Sequence, residues 1–413
     1  MSGDAIAATV RPDRTAGDAA LDILLIGGTG SVGSQIGPIL AARGHRVTIA
    51  SRTGDAARGI VGRDGWEPAA ATADVVVLLS VINNDVTADA NQVRAINVDL
   101  PLTIASAMAH NPGGRLIVFG SDHADTAAAS AYAASKAELV ERLHAQADTP
   151  ATILILSPVH GAQFVKRLAK VDRLPGVARS TAAAAIGALR PLTHVDRIAD
   201  AIEQAARSDT GGVTVRRVVD DQDRNFFYRT VTRILDLAFA IAVLIAFGWL
   251  MAILAVMVAS TSPGPALFRQ QRVGRHGRVF TCYKFRTMRI DTPNVATHQV
   301  SANSTTGIGK KLRAWKLDEL PQVFNILADH MSLVGPRPCL PSQLELIAAR
   351  DRLGVLAVKP GVTGWSQVRG IDMSDPERLA QADAEYCARR SIVLYLRIVL
   401  MTFLGKGQGD RIR

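Results

Sequence analysis

Residues 237–259 form a run of 23 residues without a charged side chain, long enough to cross the hydrocarbon core of a bilayer as a helix. Arg224, Arg229 and Arg233 precede the run, and Arg269, Arg272, Arg275 and Arg278 follow it. Positive flanks favour the cytoplasmic side, so both ends are drawn to the same face of a membrane. A second apolar stretch, residues 392–404, is too short to span and carries Arg397. It suits a position on the interface with its arginine snorkelling to the headgroups. Residues 1–20 hold small and charged residues without an apolar core, which reads as a disordered tail rather than a secretory signal.

Upstream of the run the pattern is that of an α/β domain over residues 21–216. Leu21-Asp22-Ile23-Leu24-Leu25-Ile26 ends at Gly27-Gly28-Thr29-Gly30-Ser31-Val32-Gly33, and an Ala- and Leu-rich segment follows to Arg43. This is strand, glycine turn, helix. Gly27, Gly30 and Gly33 let the backbone turn tightly and approach a pyrophosphate at the start of the next helix. Further strands are expected at 46–50, 74–79, 115–119 and 151–156, alternating with helices such as 87–109 and 130–145. The alternation implies a doubly wound parallel sheet. Arg52 follows the second strand, where an acidic residue would hold an NAD ribose; it suits the 2′-phosphate of NADP, or it is an exposed loop arginine. Tyr132 and Lys136 lie four apart on a helix, so the ammonium can lower the phenol pKa and help it exchange a proton. Residues 217–229 read as a linker.

Downstream, residues 316–338 contain Asp318-Glu319-Leu320-Pro321-Gln322-Val323-Phe324-Asn325 and Met331-Ser332-Leu333-Val334-Gly335-Pro336-Arg337-Pro338. Leu320, Val323, Phe324 and Leu327 recur at helical spacing, and Asp318, Gln322, Asn325 and Asp329 fall on the other side. Pro321 is tolerated only in a first turn, which places the helix start near Asp318. Adjacent acids at a helix start are commonly simple caps; they also suit a nucleophile or metal ligand beside an anion site. Phe280-Thr281-Cys282-Tyr283-Lys284-Phe285-Arg286 suits a strand with Lys284 and Arg286 on one face, either holding phosphate or facing lipid headgroups.

The net charge of +10 favours an anionic partner, whether a membrane surface, phosphorylated substrates or nucleic acid. No nucleic-acid recognition motif is present. Cys282, Cys339 and Cys387 show no paired spacing, which fits a reducing compartment and buried small apolar side chains. None of the nine histidines lies in a metal-ligand pattern.

Two family resemblances follow from these residues. The Asp-Glu-Leu-Pro-Gln stretch with Met331–Pro338 closely resembles the signature of the monotopic bacterial phosphoglycosyl transferases, or bacterial sugar transferases, from about Arg229 to the last residue. Lys359-Pro360-Gly361-Val362-Thr363-Gly364-Trp365 also matches that family. The resemblance implies a re-entrant membrane helix over 230–262, entered at Arg233 and Asp236, and a small helix-rich catalytic domain over 263–413. Gly248-Trp249 stands where many members have Ser-Pro at the break, and Tyr395 where an aspartate is common. It further implies transfer of a phosphosugar from a UDP-sugar to polyprenyl phosphate with release of UMP. Asp318 would be the nucleophile, Asp318 and Glu319 the positions for Mg²⁺, and Lys284, Arg286, Arg313 and Arg337 the phosphate-binding residues.

The glycine turn, Ser121, Tyr132 and Lys136 resemble the Ser/Tyr/Lys constellation of the short-chain dehydrogenase/reductase superfamily. Asn97, Ser157-Pro158-Val159-His160-Gly161 and Thr193-His194-Val195-Asp196-Arg197-Ile198 resemble its sugar-nucleotide epimerase/dehydratase branch. This implies NADP(H) or NAD(H), with Tyr132 exchanging the proton, Lys136 holding the ribose and Ser121 orienting the carbonyl. Such substrates are cytoplasmic. The expectation is therefore a fused enzyme, with a second copy of itself among its candidate partners, on the cytoplasmic face of a bacterial inner membrane. The rival reading is an oxidoreductase whose second half serves only as a membrane anchor.

Overall fold

The computed structural model describes residues 19–79, 89–109, 111, 113–121, 131–145, 150–164, 166–208, 211–261, 263–289, 292 and 304–405. They fall into two compact units, one from residues up to Arg179 with Leu192–Asp220, the other from Ser180–Pro191 with Asp221 onward. The expected tail at 1–20 lies outside the described residues up to position 18.

The first unit is built on eight strands: β1 (Asp22–Ile26), β2 (Arg46–Ala50), β3 (Val75–Leu78), β4 (Arg115–Ser121), β5 (Ala151–Leu156), β6 (Val159–His160), β7 (Thr193–His194) and β8 (Val213–Val218). Six make one sheet in the order β2-β1-β3-β4-β5-β8, every pairing parallel. Ile23, Leu24, Leu25 and Ile26 are all buried, because helices cover both faces and an apolar side chain is accepted on either. Ile36, Leu40, Ile198 and Ile202 of the helices Gly33–Ala42 and Val195–Ala206 pack on one face. Trp66, Ala70, Leu102, Met108, Leu139 and Leu143 pack on the other. The doubly wound sheet read from the sequence is present. Its sixth strand, β8, was not expected: it is an edge, and it carries Arg216 and Arg217, charged side chains of the kind that keep edges from pairing further.

In the second unit a single helix covers Phe226–Thr261, 36 residues, about 54 Å at 1.5 Å per residue. It runs without interruption through Gly248 and Trp249, so the break expected there is absent. Glycine keeps its amide N–H and the helical ladder continues, where proline would have cut it. One face of the helix, Asp236, Ala240, Met251, Leu254 and Val258, is buried. Ile245, Phe247, Trp249, Ile253 and Val256 on the remaining surface are exposed.

Strands β9 (Leu267–Val273) and β10 (Val279–Phe285) form an antiparallel hairpin. Strands β11 (Ser332–Val334) and β12 (Gly361–Thr363) pair in parallel. Helices Gly307–Ala314, Gln322–Leu327, Leu344–Arg352, Trp365–Val368, Pro376–Arg389 and Ile392–Phe403 surround them. The β11–β12 contact explains the glycines around it. A Cβ on Gly361 would lie 2.1 Å from the Gly335 amide nitrogen, and one on Gly364 would lie 2.2 Å from the Gly335 carbonyl oxygen. Only hydrogens allow the two backbones to meet so closely.

Gly361→Ala therefore forces β12 away from β11. The expected result is a loss of roughly 1–3 kcal/mol in stability of the second unit, read as a lower denaturant midpoint in detergent, while Gly370→Ala, at a loop position, leaves the β11–β12 contact intact.

Candidate functional site

The acidic pair sits in a 3₁₀ turn, Leu317–Glu319, and not in the first turn of an α-helix. Lys316 precedes it with φ +54°, the left-handed region that a lysine rarely occupies. Pro321 is the N-cap of a six-residue helix, Gln322–Leu327. Pro321 has no N–H to donate, so the α-helical ladder starts after it and the start expected near Asp318 moves four residues on. The expected apolar stripe also shifts: Val323 and Ile326 are buried, whereas Phe324 is 43 % exposed.

Asn325 is fully buried. Its Nδ2 donates to the Thr281 carbonyl at 2.7 Å, and its Oδ1 accepts from the Tyr283 amide at 3.1 Å. It thus bolts the short helix to β10 and sets Lys284 beside the acids. Oε1 of Glu319 accepts from Lys284 Nζ at 2.7 Å and from Arg337 Nη2 at 2.8 Å. Arg337 is itself held, since its carbonyl accepts from Arg350, whose guanidinium is buried against Asp383. Burial alone would raise the Glu319 pKa; Arg337 and Lys284 outweigh it and hold the carboxyl well below its ordinary range.

Asp318 is treated oppositely. It is 8 % exposed, and its carboxylate accepts no hydrogen bond from a described residue. Burial first, and the neighbouring Glu319 charge second, push its pKa up, against the pull of Lys284, Arg313 and Arg337. Arg313, on the helix Gly307–Ala314, keeps Nη1 buried without a hydrogen-bond partner among the described residues. An enclosed guanidinium nitrogen without a partner, on a residue whose charge acts on Asp318, is a donor not used by the fold. Arg286 is placed differently from the expectation: it lies beyond the end of β10, and its Nη atoms donate to the Pro263 and Val258 carbonyls. It ties the end of the long helix to β10. Asp329, expected beside Asp318, instead pairs with Lys359 and Arg233.

Among the described residues no three metal-ligating side chains cluster. Asp318 and the Oε2 of Glu319, which accepts no hydrogen bond from a described residue, still give one or two carboxylates. That number fits Mg²⁺ when phosphates and water complete its octahedron.

In the first unit, Gly27 has φ +86°, and a Cβ on Gly33 would lie 2.5 Å from Gly28 Cα. The turn between β1 and the helix Gly33–Ala42 is closed on itself by glycine alone. Gly30 donates back to the Gly27 carbonyl within it. Arg52 is exposed in the loop after β2. At the carboxyl end of β4, a Cβ on Gly120 would meet Lys136 Nζ at 2.6 Å and the Tyr132 hydroxyl at 3.7 Å. The tyrosine and lysine thus converge over Gly120, a position sequence reasoning did not single out. The side chain of Ser121 lies outside the described residues. Asn97 sits in a π-helical stretch, Ala95–Asp99, and donates to Ser135, whose hydroxyl donates to the Tyr132 carbonyl. Such π segments are common at functional sites. The two His-containing motifs meet as β6 and β7, where His160 and His194 each bond Asp220.

A family model described as bacterial sugar transferase matches residues 227–406, and one described as the NAD dependent epimerase/dehydratase family matches residues 23–218. A UDP-glucose:undecaprenyl-phosphate glucose-1-phosphate transferase of Xanthomonas campestris pv. campestris is 38 % identical over 191 residues, 44 % of this chain and 39 % of that protein. A protein of the same description from Caulobacter vibrioides is 39 % identical over 180 residues, 41 % of this chain and 67 % of that protein. An uncharacterized sugar transferase of Bacillus subtilis, EpsL, is 36 % identical over 173 residues, 41 % of this chain and 84 % of that protein. The chain spans 34–40 % of the length of three other-length relatives, those of Xanthomonas campestris, Streptococcus agalactiae and Komagataeibacter xylinus.

Because Glu319 is held ionised by Lys284 and Arg337, it stabilises the fold above the ordinary glutamate pKa, about 4.3, and that contribution is lost as pH falls below it. Glu319→Gln should lower the unfolding midpoint at pH 7 and shrink the difference from wild type progressively below pH ~4; equal midpoints at pH 7 would contradict the ion-pair role.

Proposed function

The chain belongs to the bacterial sugar transferase family through residues 227–406, and from that premise we propose that it moves a phosphosugar from a UDP-sugar to polyprenyl phosphate, releasing UMP. The observation that carries this reading is the division of labour in the acidic pair. Among the described residues the Asp318 carboxylate accepts no hydrogen bond and feels the charge of Arg313, while Glu319 is locked between two cations.

In the first step an Asp318 oxygen attacks the sugar-bearing phosphorus. The new P–O bond forms as the bond to the UMP oxygen breaks, leaving a phosphosugar ester on Asp318. In the second step the polyprenyl phosphate oxygen attacks the same phosphorus, the ester breaks, and Asp318 returns as a carboxylate. Burial that raises the Asp318 pKa also strips the carboxylate of water, which a nucleophile must shed before attack. Arg313 faces the charge that builds on the phosphoryl oxygens, and Lys284 and Arg337 keep the neighbouring acid from repelling it. Mg²⁺ held by Asp318 and the Oε2 of Glu319 would neutralise the diphosphate.

We further read the protein as monotopic on the cytoplasmic face of the bacterial inner membrane. Both ends of the long helix are held by the same catalytic unit: Arg233 donates to the Ile326 and Leu327 carbonyls near one end, and Arg286 reaches the Val258 carbonyl at the other. The exposed residues of Ile392–Phe403, Val393, Leu396, Leu400 and Phe403, extend the apolar surface. The first unit binds NADP(H) or NAD(H) at the Gly27–Gly33 turn and modifies a nucleotide sugar, with Tyr132 exchanging the proton, Lys136 lowering its pKa and Ser121 orienting the carbonyl. Homo-oligomerisation belongs to the same reading.

UMP release from UDP-glucose, UDP-galactose, UDP-N-acetylglucosamine and UDP-N-acetylgalactosamine, with undecaprenyl phosphate and Mg²⁺, tests the transferase. The expected outcome is lipid-dependent UMP release that falls by at least about a thousandfold in Asp318→Ala; no release from any donor would return the choice to an oxidoreductase with a membrane anchor. For the first unit, Tyr132→Phe should retain nicotinamide-cofactor binding and lose sugar-dependent change in cofactor absorbance by about a hundredfold or more. Wild-type protein that binds cofactor but never turns it over would make this unit a binding module.

A further inference from the structure

Gln322 opens the short helix after the acidic turn and is only 3 % exposed. Its carboxamide nevertheless makes no hydrogen bond with a described residue, and neither its oxygen nor its nitrogen is among the fully enclosed polar atoms that lack a partner. The little surface this side chain keeps therefore includes both polar atoms of the amide. An amide sunk this deep is ordinarily paired, and an apolar side chain of equal size would pack there at less cost.

The backbone from Leu317 through Leu327 is helical throughout, with Leu320 at φ −51°, ψ −39° and Pro321 at φ −63°, ψ −11°. Residues four apart, where a 3₁₀ turn runs on into an α-helix, still lie on the same side of the segment. Asp318 and Gln322 are four apart. Asn325, three further on, turns the same face toward β10 through its bonds to Thr281 and Tyr283. Gln322 thus stands on the side of this segment that carries Asp318 and, through Asn325, meets β10.

We propose that Gln322 contacts the substrate, its Nε2 donating a hydrogen bond to a non-bridging oxygen of the phosphoryl group that Asp318 attacks. This rests on the transferase reading above. The contact moves no proton: the Asp318–phosphorus bond forms, the bond to UMP breaks, and the amide stabilises the oxygen on which charge accumulates. It differs from Arg313 in kind. A guanidinium binds the diphosphate charge at every stage, whereas a neutral donor in a fixed position matters most where geometry and charge both peak.

The experiment uses the full-length protein in detergent, undecaprenyl phosphate, Mg²⁺ and the four UDP-sugars named above, and it measures kcat, KM and Tm together. Gln322→Met keeps the volume and removes the amide. The expected result is a Tm at or above that of wild type with kcat lowered about ten- to a hundredfold and KM changed little. Gln322→Glu, which stays polar if the methionine variant folds poorly, sets an anion against the phosphoryl oxygens. Its kcat should fall at least as far as that of the methionine variant. A methionine variant with kcat within about twofold of wild type, or a glutamate variant as active as wild type, would make Gln322 a packing residue and overturn the proposal. Wild-type protein inactive with all four donors would instead overturn the transferase reading, and this inference with it.

Discussion

The geometry of the second unit depends on one carboxylate oxygen. Oε1 of Glu319 takes hydrogen bonds from Lys284 and Arg337, and so joins the 3₁₀ turn, strand β10 and the Gly-Pro-Arg-Pro segment at a single point. Each contributor is fixed from behind. Asn325 holds β10, the Arg337 carbonyl is tied to Arg350, and the prolines on either side of Arg337 restrict its backbone. Two neighbouring acids acquire different chemistry in this way. Paired twice, Glu319 stays ionised; desolvated and accepting no hydrogen bond from a described residue, Asp318 is the more basic of the two. Environment, and not residue type, separates their roles.

The first unit reaches a comparable result with an absence of side chain. Tyr132 and Lys136 come together over Gly120 because nothing larger than hydrogen stands there. The two are carried by one helix, Ala131–Ala145, whose first turn is anchored through Ser135 to Asn97 in the π-helical stretch. A residue inserted into the helical register re-aims Asn97 inward, and the amide then holds the position of the helix that presents the tyrosine. The same economy governs the glycine turn after β1, where Gly33 lies against Gly28.

How much of this was legible in the sequence follows from the range of the interactions involved. The parallel sheet was readable because apolar runs, glycine turns and amphipathic helices each announce themselves within a dozen residues. The acidic pair, Lys284, Arg313 and Arg337 were readable through motif resemblance. What failed was set by contacts distant in the chain or by small backbone choices. Arg286 looks like a partner of Lys284 on alternation, but the strand ends at Phe285 and the guanidinium turns to carbonyls of residues 258 and 263. Phe324 fits an apolar stripe, yet the helix is one and a half turns long and its buried face is decided by Asn325. Gly120 carried no signal of its own, since its value lies in what sits above it.

The long helix is built into the catalytic unit. Asp236, buried near its start, accepts from the Leu333 amide, Ser332 and Tyr395, so it holds the strand that leads into Gly335-Pro336-Arg337. Arg233, one turn earlier, donates to the Ile326 and Leu327 carbonyls, closing the carboxyl end of the short helix that follows Asp318 and Glu319. At the far end the Val258 carbonyl receives Arg286, two residues after Lys284. All three segments that meet at Glu319 are therefore braced by the apolar helix. A helix serving only as a tether would need none of these bonds, and it would leave Asp236, a buried carboxylate, without purpose. Its polar residues stand where the catalytic elements need support, and Ile245, Phe247, Trp249, Ile253 and Val256 face outward. The bonds that fix this helix are consequently the bonds that shape the acidic site.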